Sequence, residues 1–108
     1  MRCFASLRRQ ADFARLRQRG RRISSPILTF YIVDAGPSDP RSLVGITISK
    51  AIGKAVVRNK LRRRLAAILH EALGDRRPLR LLIVAHPLAA AAPFAELRAG
   101  VTSALSRA

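Results

Sequence analysis

One cysteine, Cys3, no tryptophan and six acidic residues stand in a chain of 108. A lone cysteine builds neither a disulfide framework nor a cysteine metal site within one chain, and it suits a reducing compartment. The two histidines, His70 and His86, fall at no metal-ligand spacing, so no cofactor held by the protein alone is expected. Toward the C-terminus the longest strongly apolar run, Leu81 to Ala85, is far too short to span a bilayer. The missing tryptophan also removes the usual anchor at a membrane interface. The opening residues, MRCFASLRRQADF, place cations and then Gln10 and Asp12 where a signal peptide needs an apolar stretch. A cytoplasmic chain without a membrane partner is expected.

The scarce acids also limit chemistry. Asp12, Asp34, Asp39, Glu71, Asp75 and Glu96 are scattered over caps, a turn and helix ends. A protein nuclease needs an acid and a base, or carboxylates gathered around metal ions. No such pair shares a strand or helix face, and neither a nucleophile–histidine arrangement nor a glycine-rich phosphate loop occurs. No catalytic residue is expected in the polypeptide, which reads as a binder.

What the chain has in excess is positive charge. Lys and Arg number 21, for a net charge of +15. Self-repulsion of that size disfavours a compact state unless a polyanion neutralises it, which points first to nucleic acid. With 49% hydrophobic residues the chain nevertheless has material for a core. A single RNA-binding domain over residues 1–108 is expected, with 1–10 as a flexible N-terminal segment.

The hydrophobic pattern gives the order α-β-β-(β)-α-β-α, an α+β two-layer sandwich with a mixed sheet. Phe13 and Leu16 mark a short helix from Ala11 to Arg19, ended by Gly20. Ile27 to Val33 and Leu43 to Ser49 alternate as strands, and a short strand at Arg22 to Ser24 is added. Between the two long strands, Asp34 to Arg41 is dense in glycine and proline, which suggests an antiparallel hairpin. A long helix runs from Gly53 or Lys54 to Leu73, with Val57, Leu61, Leu65, Ile68 and Ala72 as its apolar stripe. Leu79 to Ala85 is a buried strand, so the long helix joins two parallel strands. Pro93 opens the last helix, Phe94 to Leu105.

At about 100° per residue, Arg58, Asn59, Arg62 and Arg63 form one continuous arc of the long helix, with Ala55 and Ala66 between them. Lys60 and Arg64 border the stripe on its other side. After Lys50 the next acid is Glu71, whereas a solvated helix normally intersperses glutamate among its cations. Arginine forks match phosphate bidentately, and asparagine adds both a donor and an acceptor for a base edge or a 2′-hydroxyl.

The run from Val44 to Arg63, VGITISKAIGKAVVRNKLRR, resembles the signature of the bacterial ribonuclease P protein component. Ser49-Lys50, Ile52-Gly53, Ala55-Val56, Arg58-Asn59 and Arg62-Arg63 carry the likeness. Asp12-Phe13, Gly20, Tyr31 and the closing apolar strand extend it over residues 11 to 105. The resemblance implies the protein subunit of an endoribonuclease whose catalysis belongs to RNA and requires magnesium. It implies two partners, ribonuclease P RNA and precursor tRNA, the latter losing its 5′ leader, and no obligatory protein partner. The fold it implies includes a left-handed β-α-β crossover, against the usual hand. The long helix, with Lys54, Arg58, Asn59, Lys60, Arg62 and Arg63, is implied to meet the catalytic RNA. A groove between the sheet and the first helix is implied to take the leader.

The groove is also legible as chemistry. Thr29, Tyr31, Thr47 and Ser49 share the sheet face opposite the long helix by alternation, and Phe13 suits either the core or the flank of that face. Hydroxyls, an aromatic ring for stacking and Lys50 for phosphate suit an extended single strand. The chain departs from the family pattern at two positions. Arg17 stands where a second aromatic is common, replacing stacking with a cation, and Ala66 stands where a basic residue is common. His70 reads as an exposed helix residue, and His86 as structural with at best a weak phosphate contact. The alternative is a structural RNA-binding protein of ribosomal type, equally cationic but lacking the substrate groove.

Overall fold

The computed structural model describes residues 4–7, 9–34, 42–74 and 78–107. Its elements run β1 (Phe4–Ser6), α1 (Gln10–Arg19), β2 (Arg21–Ser24), β3 (Leu28–Asp34), β4 (Ser42–Ile48), α2 (Ala55–Ala72), β5 (Leu79–Ala85) and α3 (Phe94–Ser106). Short 3-10 turns lie at Lys50–Ile52 and Pro87–Ala91. The α+β class and the long elements follow the hydrophobic pattern. The glycine- and proline-rich connection after Asp34 lies outside the described residues, as do Cys3, Asp39 and Asp75.

The sheet order is β1-β4-β5-β3-β2. β4 and β5 are parallel, joined through α2, while β5 and β3 are antiparallel. This corrects the expected hairpin: β3 and β4 do not pair, because β5 lies between them. The physical reason is in β5 itself, where Leu79, Leu81, Leu82 and Ile83 are all buried. A strand apolar on both faces belongs at the centre of a sheet, where both faces are covered. At the edge, β1 pairs in parallel with Ser42–Val44 of β4 and sends Phe4 into the core. The segment expected to be flexible thus supplies a strand, one too short to show a two-residue alternation.

α2 and α3 fill one face of the sheet. Leu61, Leu65, Ile68 and Leu69 of α2, with Leu97, Val101, Ala104 and Leu105 of α3, pack on Leu28, Phe30, Ile32, Val44, Leu81 and Ile83. Each fully buried side chain of this kind contributes about 1.5–3 kcal/mol relative to exposure. α1 covers only part of the reverse face, through Leu16 and half-buried Phe13 over Leu7, Tyr31, Val33, Leu82 and Val84. Gly20 lets the chain turn directly from α1 into β2, since a Cβ there would lie 2.4 Å from the Leu16 carbonyl oxygen.

Candidate nucleic-acid interface

α2 carries its cations outward. Lys54, at the N-cap, and Asn59, Lys60, Arg62 and Arg63 are exposed; Arg58 and Arg64 are half-buried. Asn59, Arg62 and Arg63 line one hollow of about 340 Å³, together with Val56. Among the described residues no carboxylate pairs with these side chains; Glu71 instead pairs with Arg98 of α3, near the far end of the helix. The first turn of α2 holds no acid and no side-chain cap, so the positive end of the helix dipole adds to the cationic field.

Two residues of the helix depart from expectation. Arg58, read as part of the open arc, donates from Nε to the Gly53 carbonyl oxygen at 3.2 Å. Part of its guanidinium therefore pins the link between the first 3-10 turn and α2. Val57, read as the start of the buried stripe, is 37% exposed. Val57 instead lines a groove beside Ala89 and Ala90 of the second 3-10 turn, so the buried stripe begins at Leu61.

On the reverse face, the strand register sets out two rows. Ser24, Thr29, Val84 and Thr47 form one; Arg22, Tyr31, Leu82 and Gly45 form the next. The expected groove residues do share this face, yet they are not equally open. Ser49 and Lys50 are exposed at the end of β4, Arg17 is exposed on α1, and Tyr31 and Thr47 are half-buried. Thr29 is a correction, being only 3% exposed. Its Oγ1 lies 2.7 Å from His86 Nε2 and 3.1 Å from Ser24 Oγ. β3 has a paired strand on each side, Ser24 and Val84 flank Thr29, and its hydroxyl is taken up between Ser24 and His86.

Phe13 and Gly45 form the most specific contact of this region. A Cβ built on Gly45 would fall 2.6 Å from Phe13 Cε1 and 3.0 Å from Cζ, so only glycine lets the ring sit this low on β4. Gly45 was missed as a functional position, although a glycine inside a strand signals a close approach. Beside them, beyond the three residues paired with β1, the outer edge of β4 has no strand partner among the described residues. Where the pairing with β1 ends, Ser6 and Leu7 together with Phe13, Gly45, Arg62 and Ala66 line a cleft of about 330 Å³. Phe13 and Arg62, assigned from sequence to two different RNAs, meet in one cleft. No local pattern joins them, because α1 and α2 approach the edge from opposite faces.

Among the described residues no three His, Cys, Asp or Glu side chains gather as a metal site, and no helix is long and apolar enough to cross a membrane.

The family model described as Ribonuclease P matches residues 1–108. The ribonuclease P protein component of Streptomyces avermitilis is 38% identical over 109 residues, covering 94% of this chain and 89% of the relative. That of Acidothermus cellulolyticus is 37% identical over 102 residues, covering 94% and 85%. Among solved structures, the RNase P protein of Staphylococcus aureus is similar with a TM-score of 0.83 at 20% identity, over 94% of this chain and 92% of that one. The RNase P protein of Thermotoga maritima gives 0.81 at 20% identity, over 95% and 96%. At that identity the solved structures speak for the fold.

Proposed function

The chain belongs to the bacterial ribonuclease P protein family, and from that premise we propose how its surfaces divide the work of 5′-leader removal from precursor tRNA. Its partner is ribonuclease P RNA, with which it forms the endoribonuclease. We assign the exposed surface of α2, with Lys54, Asn59, Arg62 and Arg63 on one side and Lys60 on the other, to that RNA. Arg58 acts there mainly by holding the Gly53 turn in place.

The leader of the precursor is assigned to the reverse face, between α1 and the end of β4. Phe13 offers a ring for stacking, Arg17 and Lys50 offer cations, and Tyr31, Thr47 and Ser49 offer hydroxyls. Thr29 shapes this surface from beneath by holding His86. Hydrolysis and its magnesium ions belong to the RNA in this scheme. The chain screens backbone repulsion and positions the leader, work suited to its net charge of +15. We place this activity in the cytoplasm.

One observation carries the scheme: Phe13 and Arg62 line a single cleft. An RNA held on α2 and a single strand held beneath α1 would run side by side across the edge of β4.

Reconstitution tests this. Purified chain and a bacterial ribonuclease P RNA are combined with precursor tRNA at low magnesium, and leader removal is timed. Removal is expected from RNA plus protein, faster than from RNA alone, and none from protein alone. Cleavage by the protein alone, or no stimulation of the RNA, would overturn the assignment.

A further inference from the structure

α2 has a second cationic flank. Lys60 and Arg64, four residues apart, lie on the side of the helix away from Arg62, about 200° around the axis for each at the helical repeat. With Val57, Ala89 and Ala90 they line a groove of about 270 Å³ between α2 and the Pro87–Ala91 turn. Lys60 is exposed and Arg64 half-buried. Neither pairs with a carboxylate among the described residues.

This flank is also where apolar surface is left uncovered. Val56 is 76% exposed and Val57 37%, and Leu88, on the facing turn, is 64% exposed. Clustered exposed aliphatics rimmed by polar groups mark an interaction site. Val56 lines both this groove and the hollow of Asn59, Arg62 and Arg63. It therefore forms an apolar crest between two cationic grooves.

We propose that the N-terminal half of α2 is a two-sided wedge, and that its second groove takes a separate segment of the catalytic RNA. The inference rests on the assignment of α2 to that RNA. An unpaired base lays its apolar face on Val57 and Ala90, while flanking phosphates meet Lys60 and Arg64. The occupant is RNA because the rim is cationic with no acid lining the groove among the described residues and because the groove adjoins, across Val56, the face assigned to RNA. A volume near the small end of ligand sites, about 300 Å³, suits one inserted ring and not a folded ligand. An acidic peptide would need the same cations, but nothing continuous with this groove is assigned to protein.

Short-reach photocrosslinking tests the wedge. With Cys3→Ser as background, single cysteines are introduced as Ala90→Cys, in the second groove, and Asn59→Cys, in the first. Each is coupled to an arylazide and irradiated with full-length ribonuclease P RNA, and the crosslinked nucleotides are mapped. The two positions are expected to mark different segments of the RNA. Crosslinks from Asn59→Cys alone, or the same nucleotides from both, would overturn the wedge while leaving the first face standing. Crosslinks from neither would overturn the assignment of α2 as a whole. Independently, Lys60→Ala with Arg64→Ala, at positions that line the second groove and not the first, is expected to weaken RNA binding about tenfold with an unchanged melting temperature. Unchanged affinity would sink the second groove, including the case in which it serves a protein.

Discussion

The ring of Phe13 rests on Gly45 so closely that a single methyl group at residue 45 would intrude to 2.6 Å of Cε1. That contact fixes how far α1 stands from the sheet, and so the height of the groove beneath it. Gly45→Ala is expected to cost about 1–3 kcal/mol by overpacking. Combined with Phe13→Ala, which removes the obstructing ring, it is expected to cost less than the sum of the two changes. A double-mutant cycle in denaturant measures this; strict additivity would show that the two side chains do not oppose each other.

Phe13→Leu keeps most of the packing under α1 and removes the π-face. Stacking on an aromatic is worth about 1–3 kcal/mol per base. Affinity of the reconstituted enzyme for precursor tRNA carrying a leader is therefore expected to fall fivefold or more. Mature tRNA, lacking the leader, is expected to bind unchanged. Equal losses for both would favour the ribosomal-type alternative.

Arg62→Ala with Arg63→Ala removes two exposed cations of α2. Binding to ribonuclease P RNA is expected to weaken, and the slope of log K against log salt to flatten by about 0.7–0.9 for each phosphate no longer neutralised. Stability is expected to stay within about 0.5 kcal/mol, as is usual for surface changes. Arg58→Ala contrasts with this pair, because its Nε holds the Gly53 carbonyl. Faster amide exchange around Gly53 is expected there; unaltered exchange would return Arg58 to the open arc.

Thr29→Val is nearly isosteric but removes the hydroxyl held by His86 and Ser24. Leaving a half-buried ring nitrogen unpaired is expected to cost about 1–3 kcal/mol, whereas Thr29→Ser keeps the hydroxyl and most of the stability. Chemical denaturation of the two variants decides. Equal midpoints would mean that water replaces the hydroxyl, and that Thr29 is more accessible than its burial indicates.

Much of the fold was legible because it rests on local periodicity. Leu61, Leu65 and Ile68 recur at helical spacing and are buried; Val44 and Ile48 alternate and face the same core. Thr29 and Thr47 were placed on the correct face by the same rule, since alternation survives whatever the neighbour is. Alternation does not report depth, however. Thr29 was misjudged because its cover comes from Ser24 and His86, one of them far along the chain. Val57 keeps the helical periodicity yet lines an open groove beside Ala89 and Ala90, and periodicity does not report that exposure.

The sequence by itself determined the charge, the cationic arc of α2 and the kinds of elements, since each depends on residues within a turn or two of one another. The tertiary structure alone decided that β5 separates β3 from β4, and that Phe13, Gly45 and Arg62 converge at one edge. Strand order and convergence are settled by competition among distant apolar surfaces for the centre of the sheet, and no window of neighbouring residues contains that competition.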